Sequence, residues 1–187
     1  MSAPIRRARV EDQDAVVAVL SEAFSGDPLA RWLFPDLRQR VRLQTRFYLQ
    51  QLTHSAAETY LIGDAASAAV WHLLPASGAT VEPPSGEIGS RLRELGRMLA
   101  PRHPAGRPHL YLFCMGVATG HQGGGLGSAM VRDRLARADA DGLGAYLEAS
   151  SARSRALYQR HGFADLGAPV RLAGGPVLWP MWREPAR

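Results

Sequence analysis

Two periodicities divide the chain. Pro4–Ala8 has the pattern of a short strand, and Glu11–Phe24 that of a helix. Val16, Val17, Val19, Leu20, Ala23 and Phe24 fall on one face of that helix, while Glu11, Asp12 and Asp14 suit the positive end of its dipole. Gly26-Asp27-Pro28 ends it, a short aromatic-rich piece follows over Leu29–Phe34, and Pro35 stops that piece in turn. Leu37–Thr53 is predicted helical. Thr59–Gly63 and Ala66–Leu74 are predicted as strands joined by a turn at Gly63-Asp64. Pro75–Gly86 is predicted as a loop, Ile88–Leu99 as a helix and Pro101–Pro108 as an irregular connection.

From His109 the order becomes strand, glycine loop, helix, strand, helix, strand. His109–Val117 is a near-continuous apolar run, as expected of a strand buried on both faces. Gly123–Asp139 is predicted as a helix, with Leu126, Met130, Val131, Leu135 and Ala138 inward and Arg132, Asp133 and Arg137 outward. Ala145–Ala149 is a predicted strand, Ala152–Arg160 a helix, Phe163–Leu166 the start of a strand and Pro176–Arg183 a last strand. No repeat or boundary divides these elements, so one domain over 187 residues is expected.

Composition narrows the function classes. Hydrophobic residues make up 46% and charged residues 21%, an ordinary globular balance. No apolar run reaches bilayer-spanning length and the N-terminal residues lack the apolar core of a secretory signal, so a cytoplasmic protein without membrane association is expected. The net charge of +5 does not point to nucleic acid: all 22 basic residues are Arg, scattered along the chain. Lys and Asn are both absent, which reads as coding bias. The single cysteine, Cys114, excludes an intrachain disulfide and a cysteine zinc cluster, and its apolar setting reads as core. No metal is expected.

Gln122-Gly123-Gly124-Gly125-Leu126-Gly127-Ser128 lies between the buried strand and an amphipathic helix. Glycines there let backbone N–H groups converge, and a helix N-terminus adds a positive dipole end, an arrangement suited to phosphate or pyrophosphate. A tight strand–helix junction would use the same glycines. A Walker A loop is excluded because the chain has no Lys. The dinucleotide fingerprint fits poorly: the sixth position is Ser128 counted from Gly123 and Met130 counted from Gly125.

Gln122-x-x-Gly125-x-Gly127 followed by Tyr158-x-x-x-Gly162-Phe163 resembles the acyl-CoA signature of the GNAT superfamily of N-acetyltransferases. Val70-Trp71, His121-Gln122-Gly123, Gly125–Ala129, Leu147–Ser150 and Tyr158-Gln159-Arg160 look like segments of the puromycin N-acetyltransferase-like group. The resemblance implies an α/β (α+β) fold: a mixed, mostly antiparallel central sheet with a splayed strand pair, flanked by helices. It also implies acetyl-CoA as donor and direct transfer to an amine in a ternary complex. Met115, Gly116 and Val117 would pair through their backbone with the pantetheine arm, and Gln122–Ser128 would hold the pyrophosphate. Ser154 stands where many relatives carry a cofactor-contacting Asn. Tyr158 matches the family's general acid for the CoA thiolate.

The attacking amine must be neutral, which calls for a base or a water path. The strand Leu110–Val117 carries no carboxylate, so Glu148 on the next strand is the first candidate, ahead of His72 and His121. Asp27, Trp32 and Phe34 combine an acid with aromatic walls and are candidates for acceptor binding, or for simple packing of a short helix. A small-molecule amine is the expected partner. Protein or peptide acetylation, a non-catalytic acyl-CoA sensor and a homodimeric assembly remain open.

Overall fold

The computed structural model describes residues 4–76 and 86–186. Strands β1 (Ile5–Arg7), β2 (Ala57–Ile62), β3 (Ser67–Leu74) and β4 (His109–Val117) form an antiparallel succession. Strand β5 (Gly144–Ala149) joins β4 in parallel, and β8 (Val177–Arg183) pairs antiparallel with β5. The short strands β6 (Ala164–Asp165) and β7 (Val170–Arg171) both pair with β8. The sheet is therefore open, mixed and mostly antiparallel, in the order β1-β2-β3-β4-β5-β8-β6.

Strand alternation assigns the two faces. Leu61, Ala68 and Val70 pack against α1 (Gln13–Ala23) and α3 (Arg40–Leu52) through Val16, Val17, Leu20 and Tyr48. Their neighbours Tyr60, Ile62, Ala69 and Trp71 point the other way, onto Met130, Val131 and Leu135 of α5 (Leu126–Ala140). A third cluster joins α2 (Pro28–Leu33) and α4 (Gly86–Leu99) to Val170, Leu172 and Leu178. Helix α6 (Ala152–Gln159) is capped at Ser151, whose hydroxyl accepts from the Ser154 N–H. None of the described helices is long and apolar enough to cross a membrane.

Three sequence expectations change. Helix α5 starts at Leu126 rather than Gly123, because Gly123 and Gly125 both adopt φ of +81°, a left-handed conformation outside the helix. The first expected helix opens with a 3₁₀ turn over Val10–Asp12, and its α-helical part begins at Gln13. Strand β4 is sealed on both faces only near its start; from Phe113 onward most of its residues are partly exposed. The expected Pro75–Gly86 loop falls mostly outside the described residues.

Strands β4 and β5 meet at only three pairs, His109–Gly144, Leu110–Ala145 and Tyr111–Tyr146. A Cβ on Gly144 would collide with the indole of Trp182, so this junction depends on the absence of a side chain. Gly144→Ala is expected to cost roughly 1–3 kcal/mol through overpacking, read as a lower Tm in thermal denaturation.

Candidate active site

Beyond Tyr111 no residue of β4 pairs with β5, while Met115, Gly116 and Val117 stay paired with Ala69, Ala68 and Ser67 of β3. The two strands thus splay, leaving one edge of β4 unmatched. At the same level the β3–β4 ladder carries a bulge: Val70 faces Cys114 and Trp71 faces Leu112, so Phe113 is the extra residue on β4. Phe113 and Cys114 consequently both pack toward the α1–α3 side.

The glycine loop closes one end of the split. Gln122 donates from its side-chain amide to the Val117 carbonyl at 3.2 Å, tying the loop back to the end of β4. Gly125 is the N-cap of α5 and no side chain caps the helix. Its first-turn N–H groups are therefore left for another acceptor. A Cβ at Gly123 or Gly125 would meet no protein atom within 4 Å. The space in front of these residues is open, and it belongs to a cavity of about 1080 Å³ that also reaches Met115, Val117, Ser154, Tyr158 and Glu148. A pyrophosphate fits this end by charge and by space.

Tyr158 projects from α6 into the same cavity and is 8% exposed, its ring set edge-on to Phe163 at 5.9 Å. Burial, followed by the nearby Cys114 and Asp27, raises its pKa, so the phenol keeps its proton at neutral pH. Glu148 faces the cavity from β5 and accepts a 2.8 Å hydrogen bond from the Tyr111 hydroxyl. Burial pushes its carboxyl up to about 7, against the opposing effect of the hydroxyl groups of Tyr111 and Tyr146. Glu148 is thus poised to exchange a proton near neutral pH.

Residues 95–163 match the acetyltransferase (GNAT) family. A solved structure titled histone acetyltransferase HPA2 and related acetyltransferase, from Corynebacterium glutamicum, is 28% identical. It aligns over 100% of this chain and 98% of its own, with a TM-score of 0.75. These findings indicate an N-acetyltransferase with acetyl-CoA as its acyl donor.

Two more distant structures share the fold. Arylalkylamine N-acetyltransferase 2 from Aedes aegypti is 15% identical, covers 98% of this chain and 99% of its own, and gives a TM-score of 0.71. The ribosomal-protein-S18-alanine N-acetyltransferase from Escherichia coli is 16% identical, covers 100% and 96%, and gives 0.63.

The remaining candidate residues divide between the cavity and the core. Ser154 lines the cavity, but its hydroxyl is engaged in capping α6, donating to the Ser151 carbonyl at 2.9 Å and accepting from the Ser151 N–H at 3.1 Å. Asp27 also lines the cavity, yet one oxygen accepts from the N–H groups of Leu29 and Ala30 and the other from the Ser150 hydroxyl at 2.8 Å. It caps α2 and ties it to the end of β5. Phe34 is buried and reaches the cavity wall, whereas Trp32 packs in the third core cluster and donates from its indole to the Ala173 carbonyl. His72 lines the cavity with its pKa lowered to about 4 by burial, and its Nε2 is buried without a partner. That disfavours it as a proton acceptor. His121 is exposed beside the loop.

Tyr111, Phe113 and His103 also line the cavity and were not singled out by the sequence. Alternation within β4 holds the signal for the first two: Leu110 and Leu112 enter the core, so Tyr111 and Phe113 point the opposite way.

Proposed function

We propose that the chain transfers acetyl from acetyl-CoA to a primary amine of a small molecule, by direct attack within a ternary complex. One observation carries this proposal: a single cavity joins the glycine loop to Glu148 through the gap between β4 and β5, passing Tyr158. Cofactor and acceptor would thus meet at the split, approaching from opposite ends. The cavity is of ligand size and concave, lined in part by α2, α3 and α4, which favours a small acceptor over an extended peptide. The likeness of Gly125–Ala129 and Tyr158–Arg160 to the puromycin N-acetyltransferase-like group supports the same choice.

In this mechanism the backbone of Gln122–Ser128 holds the pyrophosphate and the free edge of Met115–Val117 aligns the pantetheine arm. Bound acetyl-CoA supplies a thioester carbonyl for attack. Glu148 takes the proton from the incoming ammonium, and its pKa near 7 lets it do so at neutral pH. Tyr158 presents its phenolic hydrogen where the sulfur is to leave. Ser154, turned back to cap α6, contributes through the helix it stabilises.

The test is a thiol-release screen with acetyl-CoA against small amines and N-terminal peptides, with products identified by mass. Acetylation of small amines is expected. Acetylation of peptides alone would overturn the small-molecule assignment. Tyr158→Phe is expected to lower kcat by about 100-fold while acetyl-CoA affinity stays within about threefold. An unchanged kcat in stopped-flow thiol release would remove Tyr158 from the chemistry.

A further inference from the structure

The wall of the cavity beyond Glu148 is built of rings in mutual contact. Tyr111, whose hydroxyl holds Glu148, stands edge-on to His72 at 6.1 Å and to Phe113 at 6.0 Å. His72 is stacked between Phe113 at 5.3 Å and His54 at 4.9 Å, both at an interplanar angle of 18°. His103 meets Tyr111 edge-on at 5.3 Å. All five line the cavity, so the ring wall starts at the carboxylate and runs outward from it.

Charge is distributed unevenly across this chamber. Burial lowers the pKa of His72 and of His103 to about 4 each, so both are neutral rings under physiological conditions. Glu148 and Asp27 are the carboxylates among the described cavity-lining residues, and both oxygens of Asp27 are already engaged by α2 and Ser150. Arg93 and Arg97, one turn apart and exposed on α4, put positive charge at the rim. Glu148 is thus the carboxylate beside the ring wall, and His72 and His103 present neutral rings around it.

We propose that the acceptor is a monoamine built on an aromatic ring, with its nitrogen against Glu148 and its ring among Tyr111, Phe113 and His72. This rests on the small-molecule acetyltransferase function proposed above. A planar body gains offset and edge contacts with these side chains that a flexible alkyl chain does not. A second ammonium set among the rings would have no carboxylate beside it and would have to pass the arginine rim. Polyamines and aminoglycosides are therefore disfavoured.

The experiment compares kcat and KM for 2-phenylethylamine, hexylamine and spermidine, in the wild type and in Phe113→Leu, which removes the ring and keeps most of the volume. The wild type is expected to favour 2-phenylethylamine over hexylamine by about tenfold and over spermidine by about 100-fold in kcat/KM. Phe113→Leu is expected to raise KM for 2-phenylethylamine by about tenfold and to shift that for hexylamine by less than about twofold. The wild-type ranking needs no variant and stands even if Phe113→Leu folds poorly. Turnover of small amines without ring preference, or with spermidine preferred, overturns this inference and leaves the proposed function intact. Turnover of peptides alone, or of no amine although acetyl-CoA binds, overturns both.

Discussion

Gly125→Glu is expected to abolish saturable binding of acetyl-CoA while the protein stays folded. Gly125 caps α5 at φ of +81° with open space where a side chain would go. A glutamate there projects a carboxylate into the volume assigned to the pyrophosphate and opposes the positive end of the helix. The left-handed backbone adds roughly 1–2 kcal/mol of strain, which a domain of ordinary stability of about 5–15 kcal/mol tolerates. Gly142→Glu isolates that strain. Gly142 has φ of +66°, a Cβ there would likewise meet no atom within 4 Å, and it follows the far end of α5. Calorimetry should give a Kd weakened by at least about 100-fold in Gly125→Glu and wild-type affinity in Gly142→Glu. Equal affinity in both variants would show that the loop does not hold the cofactor.

The second large effect is expected at Glu148. Glu148→Gln removes the proton acceptor while its side-chain oxygen still accepts from Tyr111. A fall in kcat/KM of about 10²–10⁴ is expected, together with loss of the acidic limb expected near pH 7 in the wild type. A steady-state pH profile decides this: an unchanged limb would assign it to another group. Stability should move the opposite way. The folded-state pKa lies above the unfolded one, so the folded protein prefers the protonated carboxyl. The wild type loses stability as pH rises from about 4.3 to about 7, with the full penalty present above that. Gln carries no such penalty. At pH 8 the variant should be more stable by up to roughly 3 kcal/mol, and at pH 4 the advantage should vanish. A rise in Tm confined to high pH would mark Glu148 as held in its site at a cost in stability.

The sequence carried the elements that a single strong periodicity defines. Periodicity gives β4 its observed bounds, and gives α6, β3 and β8 theirs within a residue or two. The glycine loop was found, but the helix after it was started three residues early, because periodicity does not register the left-handed φ of Gly123 and Gly125. β7 was missed: two residues are too few to show alternation, and pairing with β8 alone makes them a strand. Arg134 is buried on α5 against Glu58, 76 residues away, a pairing no local pattern contains.

Site residues divide along the same line. Glu148 could be nominated from its strand, but the Tyr111 hydroxyl that holds it comes from another strand, and only the three-pair contact between β4 and β5 brings them together. Asp27 beside aromatics suggests acceptor binding or the packing of a short helix, and the structure makes it the N-cap of α2, a role written in Asp27-Pro28. The ring stack of His54, His72 and Phe113 joins three segments and becomes visible only when the sheet is assembled.

The splay between β4 and β5 has a consequence for how this protein coexists with others. An unsatisfied strand edge on a protein's periphery is a template on which neighbouring chains can assemble and aggregate. Here the free edge lies mid-sheet, between β3 and β5, and lines the cavity instead of the outer rim of the sheet. On the function proposed above, the pairing capacity of this β-edge is turned inward, toward a narrow ligand.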